Sequence, residues 1–196
     1  MKIAILTTLL MLSSIITNAQ EKKFEHNIYL SVGYFMDKTS GDNESGLSTK
    51  IGYGLNCYLS EKISIMPGLA IRQLADKPFS NDDGADYDSY TFLDVPVIMQ
   101  YHIQDQNNKW VLGLGPVFSF CIQNDQYYYD ANPNAATSDK IKNFNLCLQP
   151  SIMYQTGKFR IGIEANAGLL NVAKTNNYFS GSKHLHDIVA SVYFHF

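Results

Sequence analysis

Apolar residues alternate with polar, small or glycine residues over eight stretches of the chain, near 26–36, 48–59, 62–74, 89–103, 109–121, 141–155, 158–171 and 185–196. Side chains leave a strand on alternate faces, so a period of two predicts a β-strand with one apolar and one polar surface. In the first stretch Ile28, Leu30, Val32, Tyr34 and Met36 oppose Asn27, Tyr29, Ser31, Gly33 and Phe35. In the second, Ile51, Tyr53, Leu55, Cys57 and Leu59 oppose Lys50, Gly52, Gly54, Asn56 and Tyr58. The seventh sets Phe159, Ile161, Ile163, Ala165 and Ala167 against Arg160, Gly162, Glu164, Asn166 and Gly168. The last alternates through Ile188, Ala190, Val192, Phe194 and Phe196 against Val189, Ser191, Tyr193 and His195.

The connections alternate as well. Short ones fall at Ser60-Glu61-Lys62, from Gln104 to Asn108, and at Thr156-Gly157; long ones fall near 37–47, 75–88, 122–140 and 172–184. A transmembrane barrel has short periplasmic turns and longer outer loops, and an even strand number returns both termini to the periplasm. The pattern therefore predicts an all-β fold, an eight-stranded antiparallel up-and-down transmembrane β-barrel. A soluble barrel or β-sandwich, with the apolar faces turned inward, is the competing fold. Segments of this length exceed the usual strand of a globular protein and suffice for a tilted crossing of the hydrocarbon layer.

The amino end points to export. Residues 1–20 place Lys2 before an apolar run from Ile3 to about Ile16 and end in small and polar residues, the pattern of a cleaved secretory signal peptide. This leaves residues 21–196 as one barrel domain, expected in the cell outer membrane with outer-membrane lipid as its surroundings. The formal net charge is −3 without a clustered basic face, so no nucleic acid partner is expected. Cys57, Cys121 and Cys147 are an odd number inside strand patterns, which argues against a disulfide framework.

By parity, Lys50, Arg72, Asp94, Gln100, His102, Gln149, Arg160, Glu164 and Asn166 face the interior. Eight strands enclose a space just wide enough for side chains, so ions of both signs there must pair with one another. Lys50, Arg72, Asp94, Arg160 and Glu164 are accordingly predicted to form an internal charge network that plugs the lumen; a narrow ion path is the alternative. Other chemistry is weaker. The acidic run Asn81-Asp82-Asp83-Gly84-Ala85-Asp86-Tyr87-Asp88 lacks calcium-loop spacing. His184 and His186 share a face at the outer rim but lack an identifiable third ligand, so no metal and no cofactor are predicted. His186 and Asp187 leave opposite faces, and no nucleophile signature is present, so an enzyme is not predicted. Tyr127-Tyr128-Tyr129, in the longest loop, suits either a binding surface or an interfacial aromatic belt.

Two stretches carry a family resemblance. Leu93-Asp94-Val95-Pro96-Val97-Ile98-Met99-Gln100-Tyr101 resembles the Leu-acidic-aliphatic-Pro-aliphatic stretch ending in a Lys/Gln-Tyr pair of the outer-membrane β-barrel family of Bacteroidetes-type bacteria, the porin-like or PorT-like proteins. The glycine and proline strand from Trp110 to Phe120 is similar to that family's next strand. The resemblance implies an eight-stranded outer-membrane barrel and no particular activity. The expected function is structural, or recognition of an extracellular ligand or protein through the outer loops. Narrow transport, a secretion-associated barrel and a rim-sited enzyme are the alternatives.

Overall fold

The computed structural model describes residues 24–39, 43–76, 87–105, 108–127, 141–173 and 182–196. Eight strands follow in order: β1 (Phe24–Thr39), β2 (Asn43–Tyr58), β3 (Ile63–Asp76), β4 (Tyr87–Asp105), β5 (Asn108–Tyr127), β6 (Phe144–Thr156), β7 (Phe159–Gly168) and β8 (Lys183–His195). Each pairs antiparallel with its chain neighbours, and β1 pairs with β8 from Asn27↔His195 to Thr39↔Lys183, which closes the barrel. The last residue completes the seam, since Phe196 and His26 exchange backbone hydrogen bonds of 3.0 and 3.2 Å.

The outward face decides between the two folds that share this strand count. Leu30, Ile51, Leu69, Met99, Leu114 and Ile163 all stand exposed on the outside of the wall. A soluble barrel would bury them; a membrane barrel turns such a band to lipid. At the short-turn end the band finishes in aromatic rings, among them Trp110 against Tyr154 at 5.2 Å and Phe159 against Phe194 at 5.4 Å. Such a girdle suits the membrane interface, where an apolar ring can keep a polar edge wet. Two glycines permit the geometry. Gly157 takes φ 56° in the turn between β6 and β7, and a Cβ on Gly52 would run into the ring of Tyr29.

Several strands run further than the residue pattern predicts. The long connection expected at 37–47 shrinks to residues 40–42, because the β1–β2 ladder continues through Asp37↔Glu44 and Lys38↔Asn43. The expected end of the fifth strand at 121 is a β-bulge: Phe92 faces Cys121 and Thr91 faces Gln123, so Ile122 is the extra residue and the alternation skips a step. Beyond it β5 continues to Tyr127, which puts that tyrosine at a strand end, while Tyr128 and Tyr129 lie outside the described residues. Two strands are shorter than predicted. β6 begins at Phe144 and β7 stops at Gly168; Ile141 and Ala173 keep only an isolated bridge. The predicted signal peptide and the acidic run at 81–86 lie outside the described residues.

Inside, the barrel is layered. A middle apolar layer gathers Tyr29, Met66, Ala70, Ile98, Val111, Val117, Cys147, Met153 and Tyr193. A second, nearer the long loops, packs Phe35, Leu74, Tyr90, Phe92, Ile141, Val172 and Leu185. An inward face that is simply polar or glycine, as the residue pattern suggested, is therefore incomplete. Phe35, Met66 and Tyr193 belong to a real core.

The exposed band sets a depth test. Ile163→Arg, at mid-height, should lower the unfolding free energy of vesicle-folded protein by about 2–4 kcal/mol, against about 0–1 kcal/mol for Gln123→Arg at the outer end. Urea titration in vesicles measures both, and equal costs would place the lipid band elsewhere.

Candidate functional site

The lumen holds most of the barrel's buried charge. Lys50 on β2 donates to Glu164 on β7, which also accepts from the Tyr193 hydroxyl. Because β2 and β7 are separated by β1 and β8, this ion pair spans the lumen. Arg72 on β3 donates its Nε to Asp94 Oδ2 and its Nη1 to Asp187 Oδ2, both at 2.7 Å, and its Nη2 to Ser119 at 3.2 Å. Asp187 also accepts from Asn166 at 2.5 Å and from Ser48 at 3.3 Å. One guanidinium thereby ties β3, β4, β5 and β8 together.

Lys50 and Arg72 are direct cross-strand partners in the β2–β3 ladder. Like charges so placed repel. Each is therefore steered to carboxylates elsewhere on the wall, and aromatic faces line both: Lys50 Nζ lies 5.4 Å from the centre of the Tyr29 ring, and the Arg72 guanidinium 5.1 Å from that of Phe92.

Two further ionic clusters sit towards the ends. At the short-turn end Arg160 donates to Glu25 Oε1 at 2.5 Å and to Gln155 at 3.0 Å; Tyr58 and His195 also contact the Glu25 carboxylate. At the long-loop end Lys183 meets Asp37 at 2.6 Å and donates to the Tyr90 hydroxyl at 3.0 Å. Between these layers remains a space of about 10 Å³ bordered by Gln100, Gln149, Ser151, Arg160, Glu164 and Tyr193, a volume at the threshold for one water molecule.

The structure thus brings the five residues of the predicted network into the lumen as three separate groups. Lys50 pairs with Glu164 and Arg72 with Asp94, while Arg160 binds neither Asp94 nor Glu164 and takes Glu25 instead. Sequence reasoning missed Glu25, Asp37, Lys183 and Asp187. The first three lie at strand ends beyond the expected boundaries. Asp187 lay inside the last predicted strand, and its odd position alone places it inward with Val189 and Ser191.

Other candidates are placed plainly. Gln100, His102, Gln149 and Asn166 are buried inward. Ser64 Oγ lies 2.8 Å from His102 Nε2, a pairing that hydrolases use, yet both side chains are almost wholly buried in the lumen, where a substrate has no access. His184 and His186 project from the outer side of β8 with their rings nearly parallel, 6.3 Å apart. Among the described residues no group of three or more His, Cys, Asp or Glu side chains is placed to hold a metal ion. Cys57, Cys121 and Cys147 are free thiols.

A family model described as an outer membrane protein beta-barrel domain matches residues 7–174. The chain belongs to that family. This outer-membrane barrel is similar in fold to Neisserial surface protein A (NspA), at 10% identity and a TM-score of 0.54 over 87% of this chain and 97% of that one. OprG from Pseudomonas aeruginosa aligns at 13% identity and a TM-score of 0.46, over 87% of this chain and 95% of its own. Ail of Yersinia pestis gives 10% identity and 0.46, over 89% and 99%. No curated protein matches the chain.

The ion pairs carry a sharp expectation. Glu164→Gln leaves Lys50 buried without its counter-charge, and the barrel should lose about 3–5 kcal/mol in a urea titration. Replacing both partners with apolar residues, as in Lys50→Met with Glu164→Leu, should restore most of that loss, because the desolvation cost leaves with the charges. A double variant as damaged as the single one would mean that Lys50 and Glu164 are not coupled.

Proposed function

We propose that this barrel works through its long-loop end, as a structural or recognition element of the outer membrane, without passing solutes through its lumen and without catalysing a reaction. The observation that carries the reading is the wall-to-wall filling of the interior. Lys50 reaches Glu164, Arg72 reaches Asp187 and Lys183 reaches Tyr90 across the lumen, and apolar layers stand between these ionic ones. A solute would have to break buried ion pairs and part a packed core in succession. The partner of such a barrel is an extracellular ligand or protein met at the loops.

Kinship with the porin-like, PorT-like barrels of Bacteroidetes-type bacteria is part of the same proposal. It rests on the stretch from Leu93 to Tyr101 and on the glycine and proline strand that follows, which are now seen as the paired walls β4 and β5. It brings with it the expectation of a cleaved signal peptide over residues 1–20.

Planar-bilayer recording tests the closed lumen. The unmodified protein should give no steady openings and should not swell sugar-loaded vesicles. The Lys50→Ala, Arg72→Ala, Glu164→Ala variant, with a hollowed interior, serves as the control that the assay responds. Stable, voltage-independent openings in the unmodified protein would replace recognition with transport.

A further inference from the structure

At the long-loop end three basic side chains meet on the lipid-facing side of the wall. Lys38 of β1 is the register partner of His184 on β8, and His186 stands one outward step below, opposite Met36. Lys38 is exposed and the two imidazoles are half-exposed. Their rings are inclined by only 15° to each other, so they stand as a parallel pair beside the lysine.

The acids next to them in the chain have the opposite parity. Asp37 turns inward to Lys183, and Asp187 turns inward to Arg72 and Asn166. Both acids are thereby engaged by cations inside the barrel, which leaves the outer face of this corner basic. Among the described residues no carboxylate is ion-paired to Lys38, His184 or His186. β7 adds no ionisable group here, since it presents Ala167 to His186 and Asn166 to Asp187.

The height of the cluster identifies what surrounds it. From Phe194, in the short-turn girdle, to His186, a strand rising about 3.3 Å per residue at a tilt of about 40° climbs about 20 Å. The apolar band of such barrels is about 25 Å tall, so Lys38 and His184, about 5 Å higher still, stand at its upper edge at headgroup level, with His186 just beneath them. Directly beneath them Met36, Tyr34 and Ile188 are 40%, 48% and 49% exposed and continue the strip into the hydrocarbon. A cationic head above an apolar strip is the complement of an amphiphile with an anionic head.

We propose that Lys38, His184 and His186 bind the phosphate of a phosphorylated lipid in the outer leaflet, with its acyl chains against Met36, Tyr34 and Ile188. An ammonium makes charge-assisted hydrogen bonds to phosphate oxygens, and an imidazole N–H donates to them as well. A metal ion suits the site less well, because Lys38 would repel it and no third ligand stands near among the described residues. The proposal rests on the membrane position of the barrel and is independent of what the loops recognise.

Native mass spectrometry of the detergent-purified barrel, titrated with the bisphosphorylated glycolipid lipid A, tests the site. One lipid should be retained per barrel. Lys38→Gln, or the pair His184→Gln with His186→Gln, should weaken retention by about fivefold per charge removed, the size of one basic residue's contribution at an anionic membrane surface. Lys158→Gln, in a short turn at the opposite rim, should change nothing. Heat-modifiable migration on gels shows that each variant is folded. Equal retention of dephosphorylated lipid A, or unchanged retention in folded variants, overturns the proposal. So does equally tight binding of inorganic phosphate, which would make the site a simple anion site without need of a lipid.

Discussion

Everything in this barrel follows from the need to pair backbone N–H and C=O groups where no water can reach them. In hydrocarbon an open sheet edge leaves a row of such groups unpaired, at several kcal/mol each, and closure of the sheet removes the edge. Here the closure is made by β1 against β8 and extends to the last residue, Phe196. Closing at eight strands then dictates the interior. The space enclosed is no wider than opposed side chains, so each inward residue must find its partner on a distant wall.

The charged layers show how that constraint is met. Lys50 and Arg72 face each other across a strand pair and would repel if left there, but each is long enough to reach a carboxylate elsewhere on the wall. Ion pairs buried this way return little net stability, because the desolvation of both partners offsets most of their attraction. Their effect is geometric: Arg72 joins β3, β4, β5 and β8 at one height and leaves few other ways to pack the same lumen. The apolar layers around Met66 and around Phe92 supply the burial that the ionic layers do not.

The two ends of the barrel differ in kind. The short-turn end finishes in an aromatic girdle and in the cluster around Glu25 and Arg160. At the other end β4 and β5, of 19 and 20 residues, far exceed the roughly ten needed to cross the hydrocarbon. These strands carry the wall beyond the lipid. Inside the barrel at that end Phe35, Leu74, Tyr90 and Leu185, from four different strands, pack as an apolar seal. On the proposed reading, a recognition surface there would stand on a filled interior.

The strand count, the outward and inward faces and the burial of Lys50, Arg72, Asp94, Arg160 and Glu164 were legible in the chain itself, because a strand alternates its side chains with a strict period of two. That period is local, and it needs no knowledge of distant residues. It fails where the local rule is broken, as at the Ile122 bulge, and it is silent where a strand continues through polar residues, as β1 does from Asp37 to Thr39 and β2 does at Asn43 and Glu44. The pairing of charges was decided by tertiary structure alone. Parity can send Arg160 and Glu164 into the same lumen, but only the closed barrel's curvature and register determine that Arg160 meets Glu25 and that Glu164 meets Lys50. Those partners lie far apart in sequence, and their distance is a property of the closed sheet, which no single strand contains.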